Sequence, residues 1–429
     1  MNFQTPRGTR DFLPEDMISR EYVFSTVRKA YEKYGFYPLE TPAFEDVKVL
    51  TMKCGEEVEK QLFRLEDTEQ SLRFDLTVPL ARVVASNPSL PKPFKRYAIG
   101  PVWRREEPQK GRFREFWQAD VDVVGSPSMR SEAELIGAAV EALIALGFKG
   151  FEVRLNNRKL LNAFTSKAGI PEEKRLAVFR SLDKLAKQGE EAVRKELEEK
   201  GVDSAKIDAL LSFGEIFGNN EEKLKRAKKE VEGSAEGEEG VKELSEILKL
   251  LALYECAKDA KLVVDFTLVR GLDYYTGPIF EISIPDGGVG SVAGGGRYDG
   301  LIGLYSSQGL PATGISLGIE RIIEVMKAKG MMKQRKTNCR VFVAPVKPEF
   351  YDYALKVVQE LRREGVNAES DLMERSLRKQ LDYANAMGIP FVAIVGEKEE
   401  QAGTIMLRDF ASGKEEEVSL PEAAKRLKP

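Results

Sequence analysis

Residues 93–125 read PFKRYAIGPVWRREEPQKGRFREFWQADVDVVG, and this stretch decides the fold of the first half of the chain. Apolar and polar residues alternate through PFKRYAIGPVWRR and again through GRFREFWQADVDVVG, as they do in strands. The segment between them, EEPQKG, is polar and contains a proline and a glycine, which favour a turn. The stretch therefore predicts a long hairpin.

The hairpin turn carries positive charges with acidic residues between them. The cations are Arg104, Arg105, Lys110, Arg112 and Arg114, and the acids are Glu106 and Glu107. Alternate residues of an extended chain share one side, so positions 110, 112 and 114 can line one groove and face phosphates. The alternative is a solvated hairpin with surface ion pairs, which are common and individually weak. The residues alone leave both interpretations open.

Helical patterns flank the hairpin. From Glu21 to Lys33 apolar and aromatic residues recur at helical spacing, and the extended stretch GFYPLETPAFED follows. After the hairpin, Ser131 and Glu134 predict a capping box for a helix that runs to Leu146. A glycine at position 147 is the expected stop signal of that helix.

The rest of the chain changes pattern three times. Residues 156–261 predict an inserted module of charged helices, with glycine and glutamate breaks at EGSAEGEEG. Strand patterns return at KLVVDFTLV and IFEISI, and GISLGIERIIEVM turns helical after Gly318. From residue 335 strands and helices alternate, which argues for a separate α/β domain. The predicted domains are 1–155 and 262–329, which form one core, then the insertion 156–261 and the C-terminal domain 335–429.

Composition excludes several classes of protein. The chain has a formal net charge of −3, a sequence pI of about 5.7 and no apolar run that could span a membrane. Contact with nucleic acid therefore has to use local basic patches. Its three cysteines lack metal-ligand spacing, and no signal peptide is evident, so we expect a cytoplasmic protein. With no histidine at all, imidazole bases and histidine-ligated metals are excluded.

Three further segments could carry chemistry. In VRGLDYYTG, Arg270 precedes Tyr274 and Tyr275, although paired tyrosines are more often core or interface residues. The stretch 287–300, GGVGSVAGGGRYDG, matches neither common phosphate-binding glycine motif; it predicts a mobile hairpin loop or, alternatively, close backbone approach to a ligand. Arg321 lies in the first turn of an amphipathic helix, where an arginine is usually only solvated.

Taken together, these segments resemble the three motifs of class II aminoacyl-tRNA synthetases: the helix and strand ending at Pro42, the hairpin with VWRRE, and GISLGIERI. RGTRDFLPED, RFDLTVPLAR, PQKGRFREFWQ, VRGLDYYTG and GGGRYDGL are similar to the histidyl-tRNA synthetase family. The resemblance runs from about Arg7 to Arg321, and the last part resembles the anticodon-binding domain of several class II synthetases. It implies an α+β fold, with an antiparallel catalytic sheet flanked by helices, a helical insertion and a C-terminal α/β domain.

The resemblance also implies the reaction and the residues. Histidine and ATP give histidyl-adenylate and pyrophosphate, and the amino acid then passes to the terminal ribose of tRNA(His). The catalytic residues would be Arg104 and Arg270. The residues for histidine would be Asp75, Leu76, Thr77, Gln118, Asp122, Tyr274 and Tyr275. The residues for ATP would be Arg104, Glu106, Arg112, Phe116 and Arg321.

This chemistry suits a chain without histidine. The attacking carboxylate is already ionised, so catalysis needs positioning and charge stabilisation rather than a general base. Guanidinium groups such as those of Arg104 and Arg270 suit phosphate oxygens. By the resemblance, Asp122 and Tyr275 would meet the two nitrogens of the imidazole, and phenylalanine or leucine bound instead of histidine would leave these buried groups unpaired. Mg²⁺ would be held mainly by the phosphates of ATP.

The sequence departs from the bacterial family pattern at four positions. Arg105 and Trp117 stand where bacterial members commonly have histidine, Glu107 where an arginine is common, and Asp122 where they have glutamate. RFDLTVP and NNRKLL resemble the archaeal and eukaryotic branch instead. The contacts to ATP near Glu107 are therefore left open.

Two other functions compete with this interpretation. One is a silent paralogue, such as a regulatory subunit of a histidine-biosynthesis transferase, which keeps the fold and loses the site. The other is a synthetase for threonine, proline or glycine. The joint presence of Arg104, Gln118, Arg270 and Tyr275 favours the enzyme over the first, and RGLDYY argues against the second. The family also implies a homodimer built through the first motif, with tRNA(His), L-histidine and ATP as partners and no membrane.

Overall fold

A computed structural model describes residues 3–52, 59–108, 111–214, 216–270, 274–285, 287–288, 290–306, 308–332 and 335–428. The chain forms two compact units. One consists of Met1–Arg10 and Val23–Met332, and the other of Asp11–Tyr22 and Lys333–Pro429. Every residue predicted for the site belongs to the first unit.

The first unit is built on a large sheet whose neighbouring strands are mostly antiparallel. Its eight strands lie in the order β1-β4-β5-β10-β9-β8-β6-β7, with parallel pairs only at the two ends. They are β1 Tyr37–Pro38, β4 Phe94–Trp103, β5 Glu115–Val124, β6 Phe151–Asn157, β7 Ala260–Val264, β8 Pro278–Ser283, β9 Ala293–Arg297 and β10 Ala312–Gly318. A separate pair is formed by β2 Phe44–Asp46 and β3 Gln70–Leu72. The predicted α+β fold is confirmed.

Helices cover this sheet and fill its connections. They are α1 Pro14–Lys33, α2 Val47–Thr51, α3 Thr77–Ser86, α4 Arg130–Ala145, α12 Asp299–Ile302 and α13 Ile319–Ala328. Helices α4 and α13 contact the central strands β5 and β10. Ala119, Val121 and Val123 alternate along β5 and are buried. The other set of β5 side chains, which is polar, faces the opposite side of the sheet.

The predicted hairpin is confirmed, since β4 and β5 pair from Phe94 opposite Val124 to Trp103 opposite Glu115. The capping box predicted for the next helix is wrong. Met129 is the N-cap of α4, without a side-chain hydrogen bond, and Ser131 lies inside the helix. Glu134 instead bonds to Lys95 at 2.7 Å. The predicted stop is confirmed, because the glycine at 147 has φ +91° and follows the last turn.

The insertion is helical, as predicted, and joins two neighbouring parallel strands, β6 and β7. Its helices are α5 Arg158–Lys167, α6 Glu172–Leu182, α7 Leu185–Gln188, α8 Glu190–Glu199, α9 Ser204–Gly214, α10 Asn220–Glu230 and α11 Ala235–Leu251. A 3-10 turn, Glu255–Asp259, precedes β7. The predicted break EGSAEGEEG is mostly the start of α11, because the hydroxyl of Ser234 caps the helix by accepting from Gly237 N.

The glycine stretch 287–300 differs from the mobile loop favoured by the sequence. Residues Ala293–Arg297 form β9, which pairs with β8 and β10 and is buried. Glycine is required at Gly295, because a Cβ there would lie 2.7 Å from Cα of Ile315 on the neighbouring strand. Strand pairing with such close neighbours explains a composition that otherwise favours loops.

The C-terminal unit is the predicted α/β domain. Its five-stranded sheet has the order β12-β11-β13-β14-β15, parallel in the first three strands and antiparallel in the last two pairs. The strands are β11 Val341–Pro345, β12 Ala368–Ser370, β13 Phe391–Val395, β14 Thr404–Asp409 and β15 Glu415–Ser419. The helices are α14 Tyr351–Arg363, α15 Leu377–Ala386, α16 Glu397–Ala402 and α17 Leu420–Leu427, with a 3-10 turn at Pro348–Phe350. Among the described residues, no helix is long and apolar enough to cross a membrane.

Candidate active site

Strand β5 forms the floor of the candidate site. Gln118, Asp120 and Asp122 alternate along it and therefore share one face. On the neighbouring strand β10, Ser316 lies opposite Asp120, and Gly314 lies opposite Asp122. On β4, the residue opposite Asp122 is Arg96. A row of polar side chains thus crosses the middle of the sheet.

Asp122 is buried and already has partners within the chain. Nη2 of Arg96 lies 2.8 Å from Oδ2 of Asp122, with both side chains almost wholly buried. The hydroxyl of Tyr298 donates to Oδ1. Burial raises the pKa of Asp122, and Arg96 opposes that shift. Its predicted contact with imidazole therefore remains a prediction, and a ring N–H would have to share these oxygens.

Asp120 and Gln118 leave polar atoms without partners. Nε2 of Gln118 donates to Oγ of Ser316 at 2.8 Å. Ser316 lies opposite Asp120 on the neighbouring strand, and its hydroxyl lowers the pKa of that carboxyl. Oε1 of Gln118 and Oδ1 of Asp120 are buried and accept no hydrogen bond from the described part of the chain. Burial raises the pKa of Asp120 to about 7; the nearby Arg96 lowers it and Asp122 raises it.

Asp75, Leu76 and Thr77 form the start of helix α3. Oδ1 of Asp75 accepts from Thr77 N at 3.1 Å and from Val78 N at 2.9 Å, which satisfies two amides of the first turn. The carbonyl oxygen of Leu76 accepts from Arg96 Nη2 at 2.9 Å. Burial raises the pKa of Asp75, although these backbone bonds and Arg104 lower it. The start of α3 is thus fixed to the floor of the site.

Arg104 lies between two aromatic rings. Its Cζ is 4.1 Å from the ring centroid of Phe74 and 5.1 Å from that of Phe116, and Nε donates to the carbonyl of Phe74 at 3.3 Å. Burial lowers the pKa of this guanidinium, and Asp75 and Glu106 raise it. An arginine pKa stays far above neutrality, so the group remains charged and held.

Four of the predicted arginines lie near one another. Burial lowers the pKa of Arg321, and the nearby cations Arg112, Arg270 and Arg104 lower it further. Nη1 of Arg321 donates to the carbonyl of Ser291 at 2.7 Å. Acidic groups lie among them: Glu281 is 3.0 Å from Arg270, Glu106 is 3.7 Å from Arg112, and Asp75 and Asp120 raise the pKa of Arg104. The guanidinium groups nevertheless offer the planar donors that suit phosphate and carboxylate oxygens.

Glycines of β9 and β10 make room for this chemistry. A Cβ at Gly294 would lie 2.5 Å from Cζ of Arg270, and one at Gly296 would lie 2.8 Å from the ring of Tyr275. A Cβ at Gly314 would lie 2.7 Å from the carboxylate carbon of Asp122. The predicted close approach is therefore made by side chains of the site itself.

Both tyrosines of VRGLDYYTG lie in the site, while residues 271–273 between them and Arg270 are outside the described residues. The ring centroids of Tyr274 and Tyr275 are 4.9 Å apart, and Tyr274 meets Tyr298 edge-on at 5.8 Å. Burial raises the pKa of Tyr275, and the adjacent Arg270 lowers it. Both phenols are therefore neutral donors at physiological pH.

Part of the hairpin tip forms surface ion pairs, as the alternative interpretation of the sequence predicted. Glu107 contacts Arg7 at 2.8 Å and Arg114 at 3.9 Å, and Arg114 N donates to the carbonyl of Gly8. Arg114 therefore holds the N-terminal segment, whereas Arg112 lies near the other arginines. Lys110, also predicted for this groove, lies outside the described residues.

Trp117 points away from the site, because its ring stacks on Phe24 with a centroid distance of 4.8 Å.

The sequence assigned no role to several residues of the site. The residues without an assigned role are Arg96, Asp120, Tyr298 and Ser316. The alternation of β5 alone could have placed Asp120 with its neighbours. Arg96 needed the register of the β4–β5 hairpin, and Ser316 needed the pairing of β5 with β10, which are distant in sequence. Tyr298 directly follows β9, and the fold brings it to Asp122.

Comparisons with known proteins agree on one family. A family model described as histidyl-tRNA synthetase matches residues 8–322, and one described as an anticodon binding domain matches residues 340–429. A histidine–tRNA ligase of Aeropyrum pernix is 44% identical, with 98% of this chain and 97% of the relative covered. One from Pyrococcus abyssi is 38% identical, with 98% of each covered.

Solved structures give the same result for the fold. The histidyl-tRNA synthetase of Nostoc sp. PCC 7120 is 32% identical, with a TM-score of 0.88, and the alignment covers 100% of this chain and 99% of that one. A Bacillus halodurans protein described as an ATP phosphoribosyltransferase regulatory subunit/histidyl-tRNA synthetase shares the fold at 22% identity, with a TM-score of 0.75 over 89% and 96% of the two chains.

Proposed function

Since this chain belongs to the histidyl-tRNA synthetase family, we propose that the arginine-rich site described above is where it activates histidine with ATP. The chain is a histidine–tRNA ligase: it uses ATP to form histidyl-adenylate from L-histidine, and it transfers the histidyl group to the 3′ end of tRNA(His). What we propose is the assignment of residues to steps. The observation that carries it is the convergence of Arg104, Arg112, Arg270 and Arg321.

In the activation step, the carboxylate of histidine attacks the α-phosphorus of ATP and pyrophosphate leaves. Arg104 and Arg270 act as catalytic residues by holding the two reacting anions together and by stabilising the charge that develops between them. The rings around Arg104 fix its direction in advance, so little reorganisation is needed. No residue has to remove a proton from the nucleophile.

For ATP, we propose that Glu106, Arg112, Phe116 and Arg321 hold the nucleotide, with adenine between the ring of Phe116 and the guanidinium of Arg321. Planar cations and aromatic faces both stack on a base. Mg²⁺ usually keeps several water and phosphate ligands. An ion held mainly by the phosphates of ATP would therefore need few ligands from the protein.

For histidine, we propose that Asp75, Thr77 and Gln118 bind the α-ammonium, and that Asp122 and Tyr275 face the imidazole. Oε1 of Gln118 is a buried acceptor that lacks a donor within the described part of the chain. Leu76 and Tyr274 complete the pocket wall, and both are buried. A substrate without ring nitrogens would offer Asp122 and Tyr275 no hydrogen bond, and should bind less well than histidine.

For tRNA, we propose that the C-terminal domain binds the anticodon and that helix α10 of the insertion contacts the phosphate backbone. Lys225, Arg226, Lys228 and Lys229 are exposed on α10, and no ion pair holds them among the residues described by the structure. Lys225→Glu with Lys229→Glu should raise the KM for tRNA several-fold and leave pyrophosphate exchange unchanged. Equal charging at 50 and 200 mM salt would contradict the assignment.

We further propose a cytoplasmic homodimer, built around the first motif, and keep the predicted domain boundaries 1–155, 156–261, 262–329 and 335–429. Support for the dimer comes from β1, a two-residue strand at the edge of the sheet where Tyr37 is 68% exposed, and from Phe44, which is 47% exposed. Sedimentation should give twice the chain mass. An active monomer would refute the dimer.

The decisive experiment is amino-acid-dependent exchange of pyrophosphate into ATP with each of the twenty amino acids. We expect exchange with histidine alone. Replacing Arg270 by Lys tests the site, because a point charge cannot reproduce a planar fork. Exchange with no amino acid by the folded protein would favour the silent paralogue, and unchanged exchange in the Arg270 variant would refute its catalytic role.

A further inference from the structure

A chain of three polar side chains runs across the floor of the site. The Gln118 amide donates to the Ser316 hydroxyl at 2.8 Å, and that hydroxyl faces the carboxylate of Asp120 on the adjacent strand. Neither Ser316 nor Asp120 has a role in the proposed reaction. Asp120 is only 2% exposed, and its Oδ1 has no partner among the described residues.

The charge of Asp120 determines in which direction hydrogen bonds are donated along these three side chains. An ionised carboxylate can only accept, so it takes the proton of the Ser316 hydroxyl. The serine oxygen is then left to accept, and the Gln118 amide must turn its NH₂ end toward it. The two ends of a glutamine amide have nearly the same shape, so such a network decides which end is presented. The oxygen of Gln118 is therefore the end left for a ligand.

We propose that Asp120 and Ser316 are positioning residues that fix the Gln118 amide with its oxygen toward the α-ammonium of histidine. Protonation of Asp120 reverses the direction of the hydrogen bonds among the three side chains. This inference rests on the proposed contact of Gln118 with the α-ammonium. A protonated carboxyl donates to the serine, the serine then donates to the amide oxygen, and the NH₂ end turns toward the ammonium. Two donors then face each other.

The surroundings of Asp120 place this reversal near neutral pH. The charged or titratable groups that face it are Arg96, Arg73, Arg104, Asp122, Asp75, Tyr31 and Tyr298. Among these, Arg96 lowers the pKa of Asp120 most, and it is shared with Asp122 through the buried ion pair. Burial beside a second carboxylate raises the pKa of Asp120 to about 7. Histidine binding should therefore weaken as the pH falls through that value.

The test is the KM for histidine in pyrophosphate exchange, measured from pH 6 to pH 8 in the full chain and in Asp120→Asn. The substrate's own titration affects both proteins alike, so the ratio of their KM values isolates Asp120. The KM of the original chain should rise about tenfold relative to the variant between pH 8 and pH 6, as for one group with a pKa near 7. A ratio that stays constant would overturn the proposal.

A second variant removes no charge. Ser316→Ala should raise the KM for histidine about tenfold at pH 8 and abolish the same pH dependence, with the KM for ATP unchanged, and Ser316→Thr should restore both. The matched control is Ser245→Ala, which removes a half-buried hydroxyl from α11, where it donates to Val241. Unchanged histidine binding in Ser316→Ala would also overturn the proposal.

A substrate analogue tests binding of the α-ammonium separately from binding of the imidazole ring. Imidazolepropionate lacks the α-amino group, so its inhibition constant should be the same in Ser316→Ala as in the original chain. Selective loss of histidine binding supports the positioning role, and equal loss of both ligands refutes it. Absence of histidine-dependent exchange in the original chain would instead refute the proposed function itself.

Discussion

Gly294 gives the sharpest test of the site, because the guanidinium of Arg270 occupies the space where a side chain would begin. A Cβ added at Gly294 would lie 2.5 Å from Cζ of Arg270. Carbon atoms in ordinary contact are about 3.5–4.0 Å apart, so in Gly294→Ala the guanidinium must retreat by at least about 1 Å. No backbone atom is among the three nearest contacts, so the strand itself can stay in place.

The expected magnitude follows from that displacement. A misplacement of about 1 Å in a positioned group can cost about 100-fold in rate, which is about 2.7 kcal/mol of transition-state stabilisation. Stability should hardly change or rise, because alanine in a strand is about 0.5–1 kcal/mol better than glycine. Gly294→Ala should therefore lose about 100-fold in the rate of pyrophosphate exchange and unfold in urea at the original midpoint or above it.

The neighbouring residue provides the control. Gly295 points to the other face of β9, and a Cβ there would lie 2.7 Å from the backbone Cα of Ile315 and 2.7 Å from the ring of Phe280. Gly295→Ala should therefore lose stability rather than only activity. Exchange by Gly294→Ala within threefold of the original rate, or unfolding of both variants together, would refute the assignment of Arg270 to the reacting centre.

Three other predictions concern stability. Arg96→Met leaves the carboxylate of Asp122 without its buried cation and should cost about 3–5 kcal/mol in urea unfolding. Glu132→Ala should cost a similar amount, since it breaks the bidentate pair with Arg297, whose two bonds are both 2.8 Å. Hydrogen bonds from two lysines lower the pKa of Glu196 to about 2, so Glu196→Gln should lose stability at pH 7. The difference in free energy of unfolding between the original chain and the variant should shrink as the pH falls from about 4.5 toward 2. A difference that does not depend on pH would contradict this.

The hairpin and the helices around it were predictable because their signals are local. Alternation over ten residues identified both β4 and β5, and the change to helix at Gly318 was read correctly. Local signals also misled. Ser131 and Glu134 have capping-box spacing, yet α4 starts earlier and Glu134 bonds to Lys95 instead. Tertiary contacts outweighed a pattern worth about 1 kcal/mol.

The candidate site was predictable only where a residue carries a family motif. Arg104, Gln118 and Tyr275 were named from motifs, and the structure brings them to one face of the sheet. Arg96 stands opposite Asp122 within the predicted hairpin, but the sequence did not give the register of its two arms. Ser316 stands opposite Asp120 on β10, and a single sequence contains no signal for pairing between strands about two hundred residues apart, because that pairing is a property of the folded sheet.

The insertion begins after Asn157 at the end of β6 and returns to the sheet at Ala260, the first residue of β7, and these two strands are parallel neighbours. Such neighbours require only one crossover, usually a single helix. In engineering terms the insertion is thus a replaceable segment, because it leaves and re-enters the sheet at two adjacent strands. A designer could shorten it to one crossover helix, or exchange it for another module, without changing the pairing of the catalytic strands with one another. The length and content of this segment can therefore vary independently of the chemistry on the sheet.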